Sequence, residues 1–119
     1  MPQELDAVVA GYLGVDLAPG FLLAAEGVSP GDLLRPGKLT EVGPLEISSG
    51  GVVANTGLAM AALGSRVALM GLVGQDALGD LLIGLLDGRG ASLCIRRTGA
   101  APTAYGIVLA PPGVDRMFL

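Results

Sequence analysis

The stretch Gly50–Gly79, GGVVANTGLAMAALGSRVALMGLVGQDALG, restricts the fold more than any other part of the chain. Two adjacent glycines open it, and a lone asparagine follows among small apolar residues. Ala54, Leu58, Ala61 and Ala62 recur at helical spacing, and Gly64-Ser65 supplies a stop. Arg66–Met70, RVALM, reads as a buried strand that leads to a second glycine-framed turn, Gly74-Gln75-Asp76. Asp76 is placed to cap the next helix, Ala77–Leu86, whose Leu78, Leu81, Leu82, Leu85 and Leu86 form one broad apolar stripe. The order is loop, helix, strand, loop, helix. Adjacent glycines let backbone N–H groups approach a ligand with no Cβ in the way, and the first turn of the following helix has amides to spare. Gly57, inside the first helix, costs about 1 kcal/mol relative to alanine. A neighbour that needs the missing side chain is expected there.

Ahead of this stretch, Ala7–Tyr12 (AVVAGY) is a continuous apolar run ending in Leu13-Gly14-Val15-Asp16. It reads as one fully buried strand in a parallel sheet covered on both faces. Asp16 then stands at the strand's carboxyl end, the edge where open α/β sheets bind ligands. From spacing alone Asp16 either terminates the strand or faces a ligand, the first being the commoner case. Residues 17–49 are punctuated by Pro19, Gly20, Pro30, Gly31, Pro36, Gly37, Gly43 and Pro44, which rules out a long helix. Leu39–Val42 and Leu45–Ile47 alternate as half-exposed antiparallel strands do. Beyond the leucine-striped helix, Ser92–Arg97 and Thr103–Ala110 read as strands, and Pro111–Asp115 as a turn into Arg116–Leu119. That last run reads as a strand cut off part-way.

A body of 119 residues buries roughly two-thirds of its unfolded surface. The chain is 51% hydrophobic with a mean hydropathy of +0.66, more apolar material than so small a body hides easily. A partner surface or a missing remainder is expected to cover some of it. The net charge of −4, with basic residues scattered, leaves no stripe to track a phosphate backbone, so nucleic acid is not an expected partner. Cys94 stands alone and there is no histidine, which excludes internal disulfides and His/Cys metal sites. The amino terminus lacks a basic leader region, and polar residues break every apolar run short of the ~20 residues a bilayer span needs. A soluble cytoplasmic protein is expected, with no membrane partner. No nucleophile–base pair, P-loop, G-x-S-x-G or G-x-G-x-x-G element is present. The residues alone support a small-molecule pocket and no complete reaction.

Gly50-Gly51-x-x-Ala54-Asn55, Gly64 nine residues later, and Gly71-x-x-Gly74-x-Asp76-x-x-Gly79 resemble the amino-terminal signature of the ribokinase-like carbohydrate kinases, the PfkB family. The resemblance spans nearly the whole chain but only the first part of a family member. It implies an α/β fold, a ribokinase-like three-layer α/β/α core, here incomplete, with a small β-sheet lid. On that pattern the core comprises residues 5–16 and 50–91, and the lid segments 17–49 and 92–119. The implied reaction transfers the γ-phosphoryl group of ATP, with Mg²⁺, to a hydroxyl of a sugar, nucleoside or related small molecule. Carried over by position, Asp16 holds substrate hydroxyls, Gly50 and Gly51 present backbone amides, Asn55 adds a side-chain contact, and Thr103 of a Pro-Thr pair starts a lid strand at the substrate. The family's general base, in a later G-x-G-D segment that also forms the anion hole, has no counterpart here, nor do its nucleotide loops. No catalytic, metal or cofactor residue is therefore assigned, and the chain alone is expected to be inactive. Val52 and Val53 stand where ribokinase has lysine and glycine, which disfavours ribose and suits a bulkier or less polar substrate. The family also implies pairing between subunits through lid strands. The reading from a different class is a non-catalytic ligand-binding or assembly module on the same fold, suggested by the apolar excess and the cut strand.

Overall fold

In the computed structural model, which describes residues 4–21 and 29–119, the first apolar run breaks in two. β1 (Ala7–Ala10) and β2 (Gly14–Pro19) are separated at Gly11, whose φ is +143°. The expected single strand over residues 7–16 is thus corrected, and Asp16 lies inside β2, not at a strand's end. The remaining elements are α1 (Pro30–Leu33), β3 (Leu45–Gly50), α2 (Val52–Ala62), β4 (Val67–Gly74), α3 (Ala77–Leu86), β5 (Ser92–Thr98), β6 (Ala104–Leu109) and β7 (Met117–Phe118). They form an α/β arrangement of two compact units.

The first unit comprises the residues up to Asp16 together with Ser48–Tyr105. Its centre is a parallel sheet in the order β1-β4-β5, with Val9 opposite Leu69 and Leu69 opposite Leu93. Parallel pairing needs crossover connections, which α2 and α3 supply. Both helices lie on the face that carries Leu69. A Cβ on Gly57 of α2 would overlap the Leu69 side chain, and Asp80 of α3 pairs with Arg97 on the same face of β5 at 2.6 Å. The close approach that Gly57 was expected to serve is therefore the packing of α2 onto Leu69. Val53, Leu69, Val73, Leu82 and Leu86 are fully buried between the layers. The opposite face bears Val8, Met70 and Leu72, all exposed. That is why β1 alternates half-buried and exposed residues, where a strand covered on both faces was expected. At the other end of the sheet Asp6 and Arg66 clip the starts of β1 and β4 together, with Nη2 to Oδ1 at 2.7 Å and Asp6 N–H donating to the Arg66 carbonyl at 2.8 Å.

The second unit comprises the described residues of Leu17–Ile47 and Gly106–Leu119. Residues 22–28 of the expected first lid segment lie outside the described residues. The other expected segment, 92–119, begins instead at Gly106, because Ser92–Thr98 pairs in parallel with β4 as part of the first unit's sheet. A four-stranded sheet runs in the order β3-β2-β6-β7, with β6 and β7 antiparallel. Residues 39–42, expected as a strand, form none; the alternating run that pairs is Leu45–Gly50. Ser29 caps α1 by accepting the Asp32 N–H, and Pro30 sits in the first turn, where its missing N–H costs nothing. Among this unit's described residues the buried leucines are Leu33 and Leu109. Among the described residues no helix is long and apolar enough to cross a membrane.

Candidate functional site

Each glycine of the pair is closely approached by another segment of the chain, a reason for glycine that the sequence does not display. Gly50 is buried at the end of β3, and the space a Cβ would need there is filled by the Asp16 carboxylate. Gly51 is the N-cap of α2 with φ +92°, a conformation that side chains resist. Its Cα is covered by Tyr12, whose Cδ1 and carbonyl oxygen lie 2.6 and 2.7 Å from where a Cβ would stand. The Tyr12 carbonyl accepts the Val53 N–H at 3.2 Å, which ties the turn after β1 to the first turn of α2. No side chain caps that helix, so its other leading amides keep their donor capacity. Asn55 is exposed one turn further on, its own N–H bonded to the Gly51 carbonyl at 3.0 Å. Asp16 of β2 thus meets Gly50 at the end of β3, Tyr12 packs on Gly51 at the start of α2, and Asn55 follows one turn along that helix. Sequence reasoning passed over Tyr12. Its signal was an aromatic residue, one of four in the chain, four positions before the aspartate.

Thr103 sits elsewhere in the unit's hydrogen bonding. It is 3% exposed, and its hydroxyl donates to Asp76 Oδ1 at 2.6 Å and accepts the Gly74 N–H at 2.8 Å. Its N–H donates to Asp76 Oδ2 at 2.8 Å, and Asp76 Oδ1 also accepts the Gly79 N–H at 2.8 Å. Asp76 is therefore the N-cap of α3, as its position suggested, and also the anchor of the segment entering β6. Thr103's hydroxyl and N–H hydrogens point the carboxylate's way, and together with the Gly79 amide they hold Asp76 below the usual carboxylate pKa, the Thr103 hydroxyl contributing most. Burial opposes the shift, and Arg97 adds a smaller attraction.

A groove of about 880 Å³ opens on the uncovered face of the parallel sheet, lined by Tyr12, Leu13, Met70, Leu72, Ile95 and Pro102 among others. Tyr12 is its link to the glycine pair: the residue borders the groove and packs on Gly51. Among the described residues no group of three or more carboxylate or cysteine side chains is disposed to hold a metal ion.

Comparison with known proteins bears on what this arrangement belongs to. The family model for the pfkB family carbohydrate kinase matches residues 23–117. No curated protein sequence matches the chain. Among solved structures, ribokinase from Giardia lamblia superposes with a TM-score of 0.78 at 22% identity, over 98% of this chain and 35% of that one. Ribokinase from Arabidopsis thaliana, solved with ribose and ATP, gives 0.75 at 21% identity, over 98% and 36%. Fructokinase from Xylella fastidiosa gives 0.69 at 25% identity, over 95% and 32%. The chain spans about a third of the length of these structures. Their shared fold, and a family match that runs through the glycine pair and the Asp76 turn, establish that the chain belongs to the pfkB family of carbohydrate kinases.

Proposed function

We propose that this chain is the amino-terminal, substrate-binding part of an ATP-dependent kinase that phosphorylates a hydroxyl of a sugar, nucleoside or related small molecule. The observation that carries the reading is the Asp16 carboxylate lying against the bare Cα of Gly50, next to the uncapped start of α2. A carboxylate accepts from two neighbouring hydroxyls at once, and a helix start with donor capacity takes the oxygen of a third. Gly51 makes room for Tyr12 at the start of α2, and Asn55 offers both an acceptor and a donor one turn along. Thr103 contributes indirectly in this reading: with its hydroxyl and amide hydrogens engaged by Asp76, it sets where β6 starts.

ATP would supply the phosphoryl group and Mg²⁺ would neutralise its charge, but no group of side chains among the described residues is disposed to hold the metal ion. No step through them is assigned to this chain. Phosphoryl transfer by the chain alone is accordingly expected to be absent. The binding reading is tested by calorimetric titration of the full chain with ribose, fructose and adenosine. Asp16→Asn keeps the shape and removes the charge, and it is expected to weaken the bound ligand by about tenfold or more. Equal affinity of the two proteins for every ligand would overturn the assignment of Asp16.

A further inference from the structure

Tyr12 is held at three points. Its Cδ1 and Cε1 lie 2.6 and 3.0 Å from the place of a Cβ on Gly51, and its hydroxyl oxygen 2.9 Å from that of a Cβ on Gly14. The residue therefore occupies the volume that side chains on two separate elements would take, and both positions are glycine. Its backbone is fixed as well, through the carbonyl that accepts the Val53 N–H. Despite these contacts the residue is 56% exposed, and the glycine it packs on directly follows Gly50, whose Cα the Asp16 carboxylate covers. A pinned, part-exposed aromatic side chain on the glycine adjoining the carboxylate's own is complementary to a compound with two kinds of surface. The carboxylate accepts from hydroxyls along an edge, and the electron-rich ring face takes the weakly positive C–H face of a saturated ring.

Resting on the binding reading above, we propose that Tyr12 is a specificity-determining residue, a stacking platform that selects cyclic sugars or sugar rings of nucleosides over open-chain polyols bearing the same hydroxyls. An alditol satisfies the carboxylate equally well but presents no flat C–H face, and it loses more conformational freedom on binding. The hydroxyl of Tyr12, folded toward Gly14, is not needed for stacking. Tyr12→Phe therefore retains selectivity, and Tyr12→Leu, apolar but without a ring, loses it.

The chain has two tyrosines and no tryptophan, which gives the test a direct readout. In a Tyr105→Phe background Tyr12 is the sole emitter, and the full chain is titrated with ribose, fructose, ribitol and glucitol. The expected results are a change in Tyr12 emission on saturation with a cyclic sugar and weak binding of both alditols. In calorimetry, the affinity for the sugar should fall about tenfold in Tyr12→Leu and stay within about twofold in Tyr12→Phe. Circular dichroism confirms that each variant is folded, and if Tyr12→Leu is not, the emission titration decides alone. Unchanged emission at calorimetric saturation, or wild-type affinity in folded Tyr12→Leu, overturns the platform. If Asp16→Asn meanwhile loses binding, the site itself stands. If neither Tyr12→Leu nor Asp16→Asn alters sugar affinity, the platform and the site fall together.

Discussion

At the scale of single residues, charge and shape act through a few close contacts. Asp6 takes the Arg66 guanidinium on both oxygens and its N–H on one, and these bonds hold its carboxyl pKa down to about 2, against an ordinary 3.8. A carboxyl depressed in the folded state stabilises fully above its unfolded pKa, and that contribution disappears as pH falls through the folded value. Thermal melts of wild type and Asp6→Asn should therefore differ by a constant amount above about pH 5 and converge as the pH approaches about 2. Salt should narrow the difference, because the pair is partly exposed. Asp76 shifts in the same direction and adds to the acid sensitivity. Thr103→Val removes the acceptor of the buried Gly74 N–H, at an expected cost of about 1–3 kcal/mol in denaturant unfolding, whereas Thr103→Ser keeps both bonds and costs less. Gly57→Ala drives a methyl into fully buried Leu69. Overpacking of about 1–3 kcal/mol outweighs the roughly 1 kcal/mol gained in helix propensity, so a net loss is expected in the same assay.

Whole elements show which apolar patterns become core. The five leucines of α3 look equivalent on a helical wheel, yet only Leu82 and Leu86 are buried, while Leu81 is 36% exposed. Leu82→Ala is expected to cost about 2–5 kcal/mol and Leu81→Ala under about 1 kcal/mol, measured by urea unfolding. A reversed ranking would mean that α3 is rotated about its axis. The bounds of α3, Ala77–Leu86, were readable because Asp76 caps one end and Asp87-Gly88 follows the other. β4 extends past the expected Met70 to Gly74, because Gly71–Gly74 pair with Ile95–Thr98 and a sequence cannot announce its partner. The same ignorance of partners put β5 in the expected lid.

For the molecule as a whole, the uncovered face of the parallel sheet is the physical form of the apolar excess. Val8, Met70 and Leu72 are 52%, 47% and 62% exposed there, on strands of a kind that proteins normally cover on both sides. Val8→Lys with Leu72→Lys is expected to lower binding of a hydrophobic dye several-fold while changing stability by no more than about 0.5 kcal/mol per site. A large loss of stability would show that this face is packed after all. What the sequence settled by itself was local and periodic: the glycine pair before a helix, the cap at Asp76, the break after Leu86, and the α/β class. Those follow from backbone freedom, hydrogen-bond valence and the helical repeat, all of which act over a few residues. Only the tertiary structure decided that Gly50 is bare to admit Asp16 and Gly51 to admit Tyr12, that Thr103 answers Asp76, and that one face of the sheet stands open. Each of these depends on which distant segment fills a given volume, and that is fixed by packing of the whole chain.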